Sequence, residues 1–391
     1  MIARAAPPLT IPGYLAITGV DVLTPEGWCE DTTLILNDGH IRAIGADVPA
    51  DARERDGSGL LALPGIIDLH GDAIERCLAP RQGVFVPDAL AFSEHDQAVV
   101  AAGITTTFIS LTDGIEAGIR NRGTIRRLLP VIEADDQLAR HRLHVRHETC
   151  APDDLEELIG WIDAGRLSLL SIADHVPHAD QPLKLKRFAE SILRRDGGDH
   201  SAILALAEAA AARRAEGRQA DRILAAAARA RSLPLASHDD ESPEAVAASL
   251  VMGASICEFP TTLAAAQAAR AGGAMVLAGA PNLVRGSSHL GLLSAAAGIA
   301  AGAVDGLCSD YHPASLFYAP FIAVESGLLT LAEAWRLVSA APAAAVGIGH
   351  RCGALAPGMD ADVLLVRPGR GLHARLMSVF VAGREVAHYG C

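Results

Sequence analysis

The run Leu63-Pro64-Gly65-Ile66-Ile67-Asp68-Leu69-His70-Gly71-Asp72 carries an apolar strand-like segment into an imidazole and a carboxylate two residues apart. Strand side chains alternate faces, so His70 and Asp72 project together from its C-terminal end. A nitrogen and an oxygen ligand presented in this way commonly begin a divalent-metal site. Glu148, His175, His238 and Asp310 each end another apolar, strand-like run. A single histidine at a strand end is more often a hydrogen-bonded structural residue, but six ligand-type residues at five such endings in one chain are hard to assign to coincidence. Two imidazoles or carboxylates per ion plus one shared carboxylate would hold two divalent ions. A water bridging them would lose a proton near neutral pH and become a nucleophile.

Other residues fall around this set. His238 lies in Ala236-Ser237-His238-Asp239-Asp240, where either aspartate could orient the ring. His147 points to the face opposite Glu148 and reads as structural; His40, His350, His373 and His388 read as surface residues. A second constellation, Gly279 through His289, offers glycine-rich backbone, Arg285, Ser287, Ser288 and His289. Those parts could hold phosphate oxygens, or form an ordinary turn with a helix N-cap at Ser287 or Ser288. Arg81 could add positive charge at the mouth, whereas Lys184-Leu185-Lys186-Arg187 reads as a solvated charge run.

These residues need strands to present them. Strand-like runs at 65–70, 104–111, 142–148, 167–174, 233–238, 255–259, 274–278 and 304–310 alternate with helical stretches, notably 202–215, 221–231, 243–251, 263–271 and 331–338. Eight alternations predict a parallel (β/α)8 barrel of the TIM type, whose strand C-termini carry the site. This count places Glu148 on the third strand. No G-x-G-x-x-G follows the first strand, which disfavours dinucleotide binding. Short β-like pieces at 15–20, 32–36 and 40–44, and again at 361–366 and 378–381, predict one small β-sandwich built from both chain ends. The expected division is 1–62 and 352–391 for the sandwich and 63–351 for the barrel. The segment 178–200 reads as an irregular loop over the barrel mouth.

Half of the 391 residues are hydrophobic, so a large core is available, and the net charge of −13 excludes general nucleic-acid binding. An anionic substrate would need a local basic pocket. Seven scattered cysteines with no C-x-x-C pair predict reduced thiols and a cytoplasmic protein. The start lacks a signal-peptide core, and 290–304, the most apolar stretch, reads as a buried helix rather than a membrane span. A homo-oligomer is expected. Of the 33 basic residues only Lys184 and Lys186 are lysines, and both lie away from strand ends. Many binuclear barrels bridge their ions with a carbamylated lysine; here a carboxylate must take that role, and Glu148 is the candidate.

The chain resembles the amidohydrolase superfamily, and within it the α-D-ribose 1-methylphosphonate 5-triphosphate diphosphatases of the carbon–phosphorus lyase pathway. The stretches carrying the likeness include Leu63 to Asp72, His95-Asp96, Ala102-Gly103-Ile104-Thr105-Thr106, His141-Arg142-Leu143-His144 and Asp174-His175. Further on are Glu258-Phe259-Pro260-Thr261-Thr262, Gly279-Ala280-Pro281-Asn282, Val284-Arg285-Gly286, Ser288-His289 and Ser309-Asp310-Tyr311-His312-Pro313. The resemblance implies two divalent ions, zinc first, with manganese, iron or magnesium as alternatives. It implies His70, Asp72 and Asp310 on one ion, Glu148 as the bridge, and His175 and His238 on the other. Asp310 would accept the proton of the attacking water, and Arg285, His289 and Arg81 would grip phosphate or phosphonate oxygens. The reaction implied is release of pyrophosphate from a ribose 5-triphosphate bearing a 1-phosphonate. After Asp174-His175 the chain reads Val176-Pro177-His178-Ala179-Asp180, a departure from the family's usual run that bears on the exact substrate. The rival readings are a C–N hydrolase (deaminase or cyclic amidase) using the same site, and a non-catalytic assembly subunit.

Overall fold

Eight strands follow one another in parallel order: β1 (Ile66–Gly71), β2 (Ile104–Asp113), β3 (Arg140–Glu148), β4 (Leu169–Ala173), β5 (Leu235–His238), β6 (Ile256–Glu258), β7 (Met275–Gly279) and β8 (Gly306–Cys308). The computed structural model describes residues 13–286 and 292–390, so Ser287, Ser288 and His289 lie outside the described residues. The sheet closes on itself where Asp310 donates its N–H to the His70 carbonyl at 2.8 Å and Asp72 donates to the Asp310 carbonyl at 3.0 Å. Asp68 locks the seam by accepting from the Ser309 N–H at 2.9 Å and hydroxyl at 2.6 Å. Only glycine fits at 71, because a Cβ there would meet Asp68 Oδ2 at 2.7 Å and Ser309 Oγ at 3.0 Å. Helices cover the outside of the strands, as the alternation predicts.

The remaining strands form a second eight-stranded mixed sheet from both chain ends, with Val363–Arg367 pairing antiparallel to Leu61–Pro64. It is joined to the barrel by Arg140, which pairs with Asp362 and, at 3.1 Å, with Asp360, and by the Trp335 indole N–H on the Pro64 carbonyl at 2.9 Å.

One local expectation is corrected and another narrowed. The segment 178–200 is not an irregular loop: Pro182–Asp196 is a helix. Proline stands at its first turn, and Leu185, Ala189 and Ile192 recur at helical spacing to form its buried face. Its exposed face takes Lys184, Lys186 and Arg187. Within the described residues 292–304 the expected buried helix is short, Ala295–Ala300, with Ala295, Gly298 and Ile299 buried and the Ser294 side chain as its cap. Among the described residues no helix is long and apolar enough to cross a membrane, and the six described cysteines are free.

Candidate active site at the barrel mouth

Three strand ends share one backbone device. Asp239, Phe259 and Asp310 follow β5, β6 and β8 closely with φ of +58°, +53° and +54°. Each gives its N–H to the next strand, on Glu258, Leu277 and His70 carbonyls respectively, at 2.8–2.9 Å. Left-handed backbone costs about 1–3 kcal/mol at a non-glycine residue and concentrates at functional sites. Aspartate tolerates it best, so Phe259 carries the greater strain. The turn sets the Phe259 ring 4.9 Å from His70 and 5.3 Å from His238, centroid to centroid, wedging the two imidazoles.

Around this wedge the ligand-type residues converge. His238 lies 5.4 Å from His70 and 4.9 Å from His175 between ring centroids. His175 Nδ1 meets Glu148 Oε2 at 3.1 Å, and its Nε2 lies 3.6 Å from Asp239 Oδ2. Glu148 also accepts from the His175 and Val176 backbone N–H groups. Asp72 and Asp310 are joined through the barrel seam on the other side of His70. Asp310 opens into a cavity of about 210 Å³ that is also lined by His70, Arg146, His238, Asp239, Phe259, Arg285 and Tyr311. Arg285 ends the helix Ala280–Arg285, which begins as β7 stops, and its guanidinium lies 3.5 Å from the Tyr311 hydroxyl. Arg81 is exposed and does not line this cavity. Lys184 and Lys186 end no strand; they lie on the exposed face of the helix Pro182–Asp196.

The electrostatics match the geometry. Burial, reinforced by the Arg146 charge, holds His70 well below its usual pKa and therefore neutral. His175 goes the other way: burial opposes its charge, but hydrogen bonds to Asp239 and Glu148 raise it to about 9. An imidazolium between two carboxylates answers the same demand that a cation would. Burial and the Asp72 charge push the Asp310 carboxyl up, while Arg146 opposes them. Asp72 is likewise raised by burial and by Glu75.

Several buried atoms here have no hydrogen-bond partner: both ring nitrogens of His238, His70 Nδ1 and Glu258 Oε1. Buried polar groups are normally paired, so such a concentration points to a missing ligand. His238 belongs to two groupings with donor atoms within 4.8 Å of one another, one with His175 and Asp239, the other with His70 and Glu258. These donors fit a divalent cation of the nitrogen- and oxygen-loving kind.

Two residues escape the sequence reading. Glu258 is fully buried at the end of β6, with its Oε1 3.1 Å from His70 Nδ1 and its Oε2 accepting from Ser171 at 2.7 Å. It ends an apolar run just as Glu148 does, and the same rule would have found it. Arg146 shares the inward face of β3 with His144 and Glu148 by the two-residue period. Its guanidinium touches Thr112 Oγ1 at 2.9 Å and lies 3.4 Å from each of His70 Nε2, Asp72 Oδ2 and Glu75 Oε1. Of the two aspartates beside His238, Asp239 reaches the ring at 3.4 Å, whereas Asp240 bonds Ser237 and Ser249.

No family model matches the chain. The α-D-ribose 1-methylphosphonate 5-triphosphate diphosphatase of Escherichia coli (strain K12) is 34% identical over 362 residues, covering 90% of this chain and 95% of that protein. Among solved structures, an amidohydrolase matches with a TM-score of 0.63 at 16% identity, covering 95% of this chain and 98% of its own. A prolidase complexed with N-methylphosphonate-L-proline gives 0.62 at 16%, with 96% and 100% covered. Dihydropyrimidinase from Brevibacillus agri gives 0.59 at 14%, with 96% and 95% covered. At these identities the structural likeness is one of fold. The sequence relationship is closer: the chain belongs to the α-D-ribose 1-methylphosphonate 5-triphosphate diphosphatase family of the amidohydrolase superfamily.

Proposed function

We propose that this protein hydrolyses the α–β phosphoanhydride of α-D-ribose 1-methylphosphonate 5-triphosphate, or a close relative, releasing pyrophosphate. The observation that carries this reading is the wall of one cavity: Asp310, Arg146 and Arg285 stand there beside His70 and His238, whose buried ring nitrogens include ones without partners. In a chain of net charge −13, two guanidiniums at the mouth supply the local positive field a polyphosphate requires.

His238 is the donor common to both groupings, with His175 and Asp239 or with His70 and Glu258 as its companions. A divalent cation held there would supply Lewis acidity, lowering the pKa of a water and offsetting phosphate charge. The chain's own groups do the rest. Asp310, its carboxyl raised by burial, accepts the proton of the water that attacks the α-phosphorus. Arg285 and Arg146 hold phosphate oxygens and steady the charge that accumulates as the bond to the β-phosphate breaks. Phe259 keeps both imidazoles in place.

Product analysis with the ribose triphosphate tests the reading. Pyrophosphate must appear, and must vanish on chelation and in Glu148→Gln. Release of orthophosphate alone, or turnover of cyclic amides with no dependence on Arg285, would replace it with another hydrolase reaction.

A further inference from the structure

The donors around His70 divide into two unlike sides. Toward Asp72, two carboxylates are already engaged: Arg146 reaches Asp72 and Glu75 at 3.4 Å, and Arg120 grips Glu75 at 2.7–3.0 Å. Asp72 and Glu75 thus face two guanidiniums, which offset the charge of this carboxylate pair. A guanidinium is always a donor, so its 3.4 Å approach to His70 Nε2 takes the lone pair that a metal would need. On the other edge of the ring, Nδ1 lies 3.1 Å from Glu258 Oε1, outside hydrogen-bond geometry. Toward His238 the picture reverses. Both His238 ring nitrogens are buried without partners, and Asp239 and His175 complete a grouping within 4.8 Å.

From this asymmetry we infer that Arg146 stands in place of one of the two cations, so that the protein holds a single divalent ion, on the His175–His238–Asp239 side, with a fixed guanidinium opposite it. The inference rests on the metal-dependent reading above and specifies the composition of that site. His70, Glu258 and Asp72 become positioning residues that hold Arg146 and the ion-bearing side at a set separation. The substrate's phosphate oxygens meet one exchangeable cation and one covalently attached one. A guanidinium has a planar, directional fork and no open coordination position, so it orients oxygens without ionising water.

Metal content separates the possibilities without any assay of turnover. Wild-type protein equilibrated with excess Mn(II) or Zn(II) and freed of unbound ion should retain one ion per chain by elemental analysis. Its Mn(II) form should give the paramagnetic resonance of an isolated ion. Arg146→Ala uncovers Asp72 and the His70 lone pair, and should retain two ions with a spin-coupled Mn(II) signal; Arg146→Lys keeps the charge and should retain one. Two ions per wild-type chain, or a coupled Mn(II) pair, overturns the inference while leaving metal dependence intact. A folded Arg146→Ala that still holds one ion also overturns it. An ion-free wild type removes the metal-dependent reading itself. Should Arg146→Ala fail to fold, the wild-type stoichiometry and resonance decide alone.

Discussion

His147 and Glu148 are adjacent in β3, yet they serve clusters of opposite character. His147 turns to the barrel flank, where its Nδ1 lies 2.7 Å from Asp113 Oδ2. Arg122 closes on the same carboxylate through both oxygens at 2.5–2.6 Å, and its third nitrogen donates to the Asp154 carbonyl at 2.7 Å. Glu148 turns to the mouth, where His238 has no partner for either nitrogen. The two clusters use the same residue types and share the end of one strand, β3. One is saturated by protein except at His147 Nε2 and Asp221 Oδ1, and holds helices to the barrel; the other is left unsaturated at a cavity. Chemistry is available where the protein declines to complete its own hydrogen bonding.

That contrast can be broken experimentally at several points. Removing the imidazole common to both ion groupings has the largest expected effect. His238→Ala should lower turnover about 10³-fold, near 4 kcal/mol of transition-state stabilisation, and abolish tight ion binding while the melting temperature changes little. His147→Ala, two strands away, should retain its ion; equal loss of ion from both variants would erase the distinction.

On the saturated flank the damage should appear in stability. Breaking a buried ion pair strands a charge, so Arg122→Ala should cost about 3 kcal/mol in chemical denaturation, with ion affinity unchanged. Unaltered stability would show that the flank is not a structural clamp.

One unsatisfied pair persists on that flank and gives a pH signature. Asp221 Oδ1 and His147 Nε2 face each other at 3.9 Å, both without hydrogen-bond partners. Burial, against the opposing pull of His147 and Thr149, raises the Asp221 carboxyl to about 6. A carboxyl whose pKa is higher folded than unfolded binds its proton more tightly in the native state. Stability from this group is therefore present at low pH and declines as pH rises from about 4 to about 6. Asp221→Asn should remove that decline and stabilise the protein by about 2 kcal/mol at pH 8. Parallel stability–pH curves for the variant and wild type would refute the assignment.

The smallest effect belongs to the lysines. Both lie on the exposed face of the helix Pro182–Asp196, so Lys184→Arg with Lys186→Arg should shift stability by less than about 0.5 kcal/mol and leave ion content unchanged. Loss of ion would mean that a lysine reaches the mouth after all.

Much of this was legible from residue order. The period of apolar runs locates all eight barrel strands, puts Glu148 on the third, and joins both chain ends in one sheet. The irregular look of 178–200 misled because its apolar residues are sparse, and a helix needs only Leu185, Ala189 and Ile192 on one face. Arg146 was invisible as a partner of His70, since β3 and β1 are separated by β2 in the sheet and nothing along the chain records the reach of a long side chain.

Residue order by itself determined which groups stand at strand ends and which face each takes, because side-chain alternation is a local property of extended backbone. Tertiary structure alone decided which of those groups would find partners. Saturation depends on what arrives from other elements: Arg122 reached Asp113, and Arg146 reached Asp72, but no protein group hydrogen-bonds the ring nitrogens of His238.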